Sequence, residues 1–341
     1  MTNESSRRDF LSLAAVGGAG LALSGITGLT GGALAATAAT GREAFGPVRQ
    51  IKAGLLDVGY VDLGPRDGTP VMLFHGWPYD IHTYEEVAPL LAAQGFRVIV
   101  PHLRGYGSTR FLSDATLRSG QQTALAADTI ALMDALGIRR AIMAGCDWGA
   151  RNACVVSALW PERCQALVSV SGFLVLNRAT ALTPLSPADE FSWWYQYYFA
   201  TERGRIGYEK NLKEFARFIW RQASPKWNFD DATFDRAAAS LVNPDQVAVA
   251  VHNYRWRIAA AEGDPQYEAL ETRLAQVQSV SLPSITMEGD ANGAPHPAPA
   301  AYASRFKGKY EHRNLSGGIG HNLPQEAPAD FAKAIIDLSK W

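Results

Sequence analysis

The sequence of 341 residues predicts an α/β protein in which a mostly parallel sheet is covered by helices on both faces. Short β-branched apolar runs alternate along the chain with stretches of helical periodicity, which is the pattern of such a sheet. Hydrophobic residues make up 47% of the chain, enough for a large buried core. The 32 Lys and Arg residues balance 33 Asp and Glu residues, so we expect neither a nucleic-acid partner nor binding to an anionic membrane surface.

Residues 1–40 are predicted to be a twin-arginine export signal rather than part of the fold. Arg7 and Arg8 precede an uncharged run from Leu11 to Gly41, and small residues near its end offer cleavage sites. Seven glycines from Gly17 to Gly32 make this run a poor membrane helix. We therefore expect a periplasmic or secreted protein with no membrane partner beyond the export machinery. An uncleaved anchor and a disordered tail are the alternatives.

The predicted core occupies residues 41–172 and 271–341. A helix is expected from Thr123 to Leu136, where apolar residues recur at three- and four-residue steps. The strand candidates are Val71–Phe74, Phe96–Val100, Ala141–Ala144, Ala166–Val170, Ser284–Met287 and Tyr310–Arg313.

The alternation stops between residues 173 and 270, which we predict to form a helical cap, or lid. Residues 191–256 carry 16 of the 35 aromatic residues in about a fifth of the chain. Such a segment is expected to cover an apolar cavity. A small helical domain with its own aromatic core is the alternative.

A Gly-Cys-Asp-Trp-Gly turn at residues 145–149 follows one predicted strand and precedes a helix that begins near Ala150. In a turn of the form G-x-Nuc-x-G, small flanking residues permit a sharp reversal that exposes the central side chain, here Asp147. Cys146 is then expected to point into the core as a small hydrophobe. A carboxylate that merely caps the helix is the alternative interpretation of Asp147.

Together these motifs resemble the α/β-hydrolase family, specifically its epoxide hydrolase and haloalkane dehalogenase branch, over nearly all of residues 50–341. His-Gly-Trp-Pro at 75–78 is similar to the oxyanion loop of that family. Leu-Arg-Gly-Tyr-Gly-Ser at 103–108 is similar to its next loop, with His102 where an Asp is usual. Gly-His-Asn-Leu-Pro at 320–324 is similar to the loop that carries its histidine. The resemblance implies the α/β-hydrolase fold, with an eight-stranded sheet and an inserted helical cap.

An aspartate nucleophile restricts the reaction class. When a carboxylate attacks a saturated carbon it forms an ester, which water can cleave, so Asp147 predicts displacement at an alkyl carbon. The resemblance implies that His321 is the general base for that water. It also implies that the backbone N–H groups of Trp77 and Trp148 form the oxyanion hole. No metal or organic cofactor is expected, because the cysteines and histidines lack metal-ligand spacing.

Two cap tyrosines favour oxygen over halide as the leaving group. The resemblance places Tyr195 and Tyr254 at the positions that donate to an epoxide oxygen, which needs a hydrogen bond and finally a proton. Plain packing is the alternative role for both. The favoured function is hydrolysis of a small apolar epoxide by water to a vicinal diol. A haloalkane dehalogenase that uses the Trp148 indole as halide donor is the first alternative.

One position departs from the family. Its histidine-orienting carboxylate usually follows the seventh strand, but the aligned position in residues 287–293 is Asn292. Either Asn292 orients His321 without a full charge, or Asp290 does so through a shifted loop. The other place used by relatives, residues 171–173, has no carboxylate. This departure supports a second alternative, a slow or inactive relative that binds a ligand.

Overall fold

The computed structural model describes residues 45–277 and 279–341, so the predicted export signal lies outside the described residues. Nine strands form one sheet. They are β1 (Arg49–Ala53), β2 (Leu56–Leu63), β3 (Pro70–Phe74), β4 (Arg97–Pro101), β5 (Arg110–Phe111), β6 (Ala141–Gly145), β7 (Cys164–Val170), β8 (Ser284–Gly289) and β9 (Tyr310–Leu315). All the strands predicted from the sequence are present, whereas β1, β2 and β5 were not predicted.

The sheet has the order β1-β2-β4-β3-β6-β7-β8-β9, with the two-residue β5 pairing with β2. Pairing is antiparallel where β2 meets β1, β4 and β5. All pairs from β4 to β9 are parallel. The predicted mostly parallel α/β-hydrolase sheet is therefore confirmed, with β5 as an extra edge strand.

The helices are α1 (Val87–Ala92), α2 (Gln122–Ala135), α3 (Trp148–Leu159), α4 (Pro187–Ser192), α5 (Trp194–Ala200), α6 (Glu202–Lys210), α7 (Leu212–Ala223), α8 (Asp231–Ala238), α9 (Gln246–Arg257), α10 (Glu268–Gln276), α11 (Pro299–Tyr302), α12 (Leu323–Glu326) and α13 (Pro328–Leu338). Short 3-10 helices lie at Ile81–Tyr84, Pro161–Arg163, Arg178–Thr180, Ala239–Val242, Pro265–Tyr267 and Ala303–Arg305. None of the described helices combines the length and apolar character needed to cross a bilayer.

Alternate residues of each central strand enter different apolar clusters, one on each face of the sheet. On β3, Met72 and Phe74 join the cluster that contains α2 and α3, and Val71 and Leu73 join the cluster that contains α1 and α13. The period of two along a strand produces this division. Because both faces are covered, the central strands are continuous apolar runs.

Between β7 and β8 the described chain forms helices α4 to α10, and we call residues 171–283 the insert. Its last helix, α10, contacts the core: Glu271 accepts a hydrogen bond of 2.6 Å from the Thr123 hydroxyl on α2. The cap was expected to end at residue 270, which lies inside this helix. The sequence gives no helix-breaking signal between Glu268 and Gln276.

Candidate active site

The turn between β6 and α3 presents Asp147 in a strained backbone conformation, with φ 55° and ψ −121°. A non-glycine residue adopts this conformation only when its surroundings enforce it. A Cβ built on Gly149 would lie 1.8 Å from the carbonyl oxygen of Phe74, so helix α3 can approach β3 only through a glycine. This contact explains the flanking glycine of the motif and places Asp147 at the carboxyl edge of the sheet.

The Asp147 carboxylate contacts the loops that follow β3 and β9. The Trp77 amide donates a hydrogen bond of 2.8 Å to its Oδ1, and Nε2 of His321 lies 3.6 Å from its Oδ2. Burial raises the pKa of Asp147, but His321, Arg151 and the Trp77 amide lower it by more, so the pKa lies below its usual value. The side chain is therefore an ionised carboxylate near neutral pH.

The loop that carries His321 is fixed by residues that the sequence did not single out. Ser224, which follows α7, accepts a hydrogen bond of 2.9 Å from the His321 amide. Glu326 on α12 accepts bonds of 2.7 Å from both the Ser224 hydroxyl and the Gly320 amide. Burial lowers the pKa of His321, but the Asp147 carboxylate and nearby glutamates raise it by more, so the net shift is upward.

The two predicted oxyanion-hole residues differ in their contacts. Trp77 donates its amide to Asp147, whereas the Trp148 amide makes no hydrogen bond to that carboxylate in this structure. The Trp148 side chain is buried, and its indole Nε1 donates to the hydroxyl of Tyr254 at 3.2 Å. The Trp77 indole donates to the hydroxyl of Tyr208 at 2.8 Å.

Both predicted tyrosines lie over the site, Tyr195 on α5 and Tyr254 on α9. Their ring centroids are 5.1 Å apart in an edge-to-face arrangement, and both rings contact Trp77, at 5.2 and 5.0 Å. Burial raises the pKa of each phenol, so each remains a neutral donor at ordinary pH. Tyr195 lines the cavity described next, and the Tyr254 hydroxyl accepts from Trp148.

A cavity of about 960 Å³, part of it open to solvent, lies between the insert and the sheet edge. The predicted residues Trp77, Asp147, Tyr195 and His321 line it. Its apolar wall is formed by Phe173, Leu174, Val175, Leu176, Trp193 and Ile219. The insert thus encloses the nucleophile in a mostly apolar space, which suits an organic substrate.

Neither residue expected to orient His321 contacts its ring. Asp290 accepts hydrogen bonds from the amides of residues 317–319, at 2.8 to 3.1 Å, so its carboxylate is committed to the loop. Asn292 donates to Oε1 of Glu288 at 2.7 Å and accepts from the Ala294 amide. The buried Nδ1 of His321 has no hydrogen-bond partner. In this structure neither side chain therefore makes a hydrogen bond that would orient the His321 ring.

Glu288 influences His321 through its negative charge. It lies on β8, is buried, and is among the charges that raise the pKa of His321. Sequence reasoning missed it because it precedes the usual acid position by four residues. Arg151 was also missed, although it lies in the first turn of the helix that Asp147 precedes, where its amide donates to the Asp147 carbonyl at 3.0 Å.

Cys146 lies in the core, as expected, and its thiol donates to the His321 carbonyl at 3.1 Å. Within residues 45–277 and 279–341, no group of three or more His, Cys, Asp or Glu side chains is placed to hold a metal ion.

Comparison with known proteins identifies relatives of this chain. Residues 69–207 match the profile of a family described as alpha/beta hydrolase fold. A crystal structure of a candidate epoxide hydrolase from Klebsiella pneumoniae subsp. pneumoniae has 57% sequence identity and a TM-score of 0.87, over 88% of this chain and 99% of that one.

Two curated relatives match shorter or more divergent stretches. An epoxide hydrolase of Caballeronia sordidicola is 36% identical over 104 residues, which are 30% of this chain and 31% of that protein. A haloalkane dehalogenase of Mycobacterium marinum is 26% identical over 248 residues, which are 71% of this chain and 80% of that protein. The match thus spans about a third of the length of the Caballeronia protein. The relatives include proteins named for each activity of the predicted branch, epoxide hydrolase and haloalkane dehalogenase.

Proposed function

This chain belongs to the α/β-hydrolase family, and we propose that it is an epoxide hydrolase that works through an ester on Asp147. The single observation that carries the proposal is the meeting of Asp147, His321 and the buried Tyr195 at one mostly apolar cavity, with the ring of the buried Tyr254 packed against that of Tyr195. An ionised carboxylate, a base and two neutral phenol donors are the groups that ring opening and ester hydrolysis require.

In the first step, Oδ2 of Asp147 attacks one ring carbon of the epoxide. The bond from that carbon to the ring oxygen breaks, and its electron pair moves to the oxygen, which takes a proton from a tyrosine. Tyr195, which lines the cavity, is the proton donor in this proposal, and Tyr254 supports it through the ring packed against it at 5.1 Å. The products of this step are an alkyl ester on Asp147 and a tyrosinate.

In the second step, His321 removes a proton from water as the water oxygen adds to Cγ of Asp147. The Trp77 amide stabilises the oxyanion that forms on Oδ1. When the oxyanion collapses, the bond from Cγ to the alkylated oxygen breaks and the diol leaves. Ester hydrolysis releases one net proton, which restores the tyrosine, so one epoxide and one water give one diol.

The alternatives within the family share Asp147 and His321 but not the need for the tyrosines. Halide release from a haloalkane requires a hydrogen-bond donor to the halide and no proton transfer. In this structure the Trp148 indole is directed to Tyr254 and does not line the cavity. This arrangement favours the epoxide over the haloalkane, and the reactive geometry of Asp147 favours an enzyme over a ligand-binding relative.

The proposal is tested by a single turnover in H₂¹⁸O with aryl and alkyl epoxides, alongside haloalkanes of matched size. The ester route predicts that the first diol carries no ¹⁸O and that the peptide containing Asp147 gains one ¹⁸O. Asp147→Asn is the matched control and should form no ester. Direct attack of water would instead place ¹⁸O in the first diol, and halide release without diol would establish the dehalogenase alternative.

We also propose, from Arg7, Arg8 and the uncharged run after them, that residues 1–40 direct export by the twin-arginine route. Conservative replacement of both arginines by lysine keeps the charge but changes the pair that the receptor reads. In a bacterial host, the double variant should remain in the cytoplasmic fraction, whereas the unaltered chain reaches the periplasm or medium. Equal distribution of the two chains would overturn this proposal.

A further inference from the structure

Two guanidinium groups line the cavity beside Asp147, and neither has a carboxylate partner. Arg151 is only 7% exposed and lies one helical turn after the nucleophile, on α3. Its Nε donates to the Leu174 carbonyl at 3.1 Å, but its buried Nη1 has no hydrogen-bond partner. In the described part of the chain, no Asp or Glu oxygen lies within 4.0 Å of either Arg151 or Arg257.

Arg257, at the end of α9, approaches the same cavity from the insert. Its guanidinium lies 4.4 Å from the ring centroid of Trp193 and 5.4 Å from that of Tyr254. Aromatic faces orient a planar cation and attract it weakly, but they do not neutralise its charge. Helix α3 and the insert thus each present to the cavity one guanidinium group that has no carboxylate within 4.0 Å.

Among the described residues, the other deeply buried arginine, Arg104, has a carboxylate partner. Arg104 is 1% exposed and donates to both carboxylate oxygens of Asp128, at 2.6 and 2.7 Å, and to the Ser119 carbonyl. Burial lowers the pKa of Arg104, but Asp128 raises it by more. For Arg151, burial and then the charge of Arg257 lower the pKa to about 10. A buried cation with unsatisfied hydrogen-bond donors destabilises a folded protein. The presence of Arg151 at this position therefore requires an explanation.

Stabilising the ionised form of Asp147 does not explain why two arginines without carboxylate partners line the cavity. Asp147 already has the Trp77 amide and His321 as partners. Arg257 is not among the principal groups that set the pKa of Asp147. An anion that enters with the substrate would satisfy both guanidinium groups at once, because a carboxylate can accept from two donors.

We propose that the substrate is an epoxide carrying a carboxylate, held by Arg151 and Arg257, with its apolar body against residues 173–176. This inference rests on the proposed function and names its substrate class. It changes the expected substrate from a purely apolar epoxide to an amphiphilic one. The carboxylate fixes the position of the ring relative to Asp147, so it acts on substrate binding and orientation.

The test uses the full chain with terminal epoxyalkanoates of four to ten carbons, each compared with its own methyl ester. For at least one length, we expect kcat/KM of the acid to exceed that of the ester by roughly 10- to 100-fold, as for a charge-assisted bidentate contact. Arg151→Gln and, separately, Arg257→Gln should reduce this ratio to near one, and Arg151→Lys should retain part of it. Arg203→Gln, at an exposed position on α6, is the matched control and should leave the ratio unchanged.

The outcomes distinguish a failure of the proposed substrate class from a failure of the proposed function. If the methyl esters give diol but the acids are never preferred, the anionic substrate class is wrong and the epoxide hydrolase assignment stands. If neither series gives diol, the proposed function itself fails. If Arg151→Gln lowers acid and ester turnover equally, Arg151 serves Asp147 rather than the substrate. Because Arg151 is buried and its variant could unfold, the half-buried Arg257 provides the second, independent test.

Discussion

The Trp77 amide donates a 2.8 Å hydrogen bond to Oδ1 of Asp147, whereas Oδ2 of the same carboxylate faces His321 at 3.6 Å. The two oxygens are therefore distinct before a substrate binds. In the proposed mechanism, Oδ1 occupies the position of the later oxyanion and Oδ2 is left to attack carbon. Trp77 follows β3 and Asp147 follows β6, and these strands are neighbours in parallel register, so the sheet itself fixes this relationship.

The two tyrosines should contribute unequally to ring opening. Tyr195 lines the cavity, whereas the Tyr254 hydroxyl accepts the Trp148 indole hydrogen. We expect Tyr195→Phe to slow ester formation by roughly 10²-fold and Tyr254→Phe by about 10-fold, as for loss of a general acid and of its support. Rapid-quench mass spectrometry of the alkyl-enzyme measures both rates. Equal rates in both variants and in the unaltered enzyme would assign the tyrosines to packing.

The pKa of His321 should fall when Asp147 is alkylated. In the free enzyme the carboxylate raises that pKa against the effect of burial, and an ester no longer carries the charge. His321 then becomes the neutral base at a lower pH than in the free enzyme. We expect the acid limb of ester hydrolysis to lie below the His321 titration of the free protein.

NMR titration of the free enzyme and single-turnover decay of the ester supply the two values to be compared. Asp147→Asn is the control, because it removes the same charge and should lower the His321 titration in a similar way. An acid limb at or above the titration of the free enzyme would contradict the expectation.

Glu288, not Asp290, should tune the histidine. Glu288→Gln removes a charge that raises the pKa of His321 but keeps an acceptor for the Asn292 amide. We expect the His321 titration to move to lower pH and ester hydrolysis to slow by about 10-fold. Asp290→Asn is the matched control, since that carboxylate faces the amides of residues 317–319. A larger NMR shift in the Asp290 variant would reverse the assignment.

Backbone strain at Asp147 should appear as a stability difference between two inactive variants. Asp147→Ala keeps a Cβ at φ 55°, whereas Asp147→Gly adopts that conformation without steric cost. Both variants lose the carboxylate with its contacts to His321 and the Trp77 amide, so the comparison isolates the backbone. We expect the glycine variant to be more stable by about 1 kcal/mol in urea unfolding, after the entropy cost of glycine. A less stable glycine variant would show that the turn stores no strain.

Much of the fold was predictable from the sequence because its central strands are buried on both faces. Val71–Phe74 and Ala141–Ala144 are continuous apolar runs between loops, a signal that does not depend on distant residues. The edge strand β1 was missed because it is half-exposed, and its alternation of polar and apolar residues over Arg49–Ala53 is short. The start of α10 has no capping signal, so the expected end of the cap fell within this helix.

Local motifs also located Asp147 and His321, because a strand-turn-helix and a glycine-rich loop are defined by adjacent residues. One anchor of the His321 loop depends instead on a contact between distant segments. Ser224 reaches this loop from the insert, and no spacing in the sequence links the two. Glu326 lies close to His321 in the sequence, but no pattern shows that it accepts from both the Ser224 hydroxyl and the Gly320 amide. Glu288 acts through space from within a strand, where a carboxylate is normally unfavourable.

The chain leaves β7 after Val170 and re-enters the neighbouring parallel strand β8 at Ser284, which pairs with Leu167. An excursion that joins two neighbouring strands can be lengthened, shortened or replaced while every strand keeps its register. The sheet supplies Asp147 and His321, and the excursion supplies Tyr195 and Arg257. The nucleophile and the base can therefore be inherited separately from the proposed ring-opening acid, and a grafted excursion that retained Tyr195 would be a route to new substrates for the same proposed reaction.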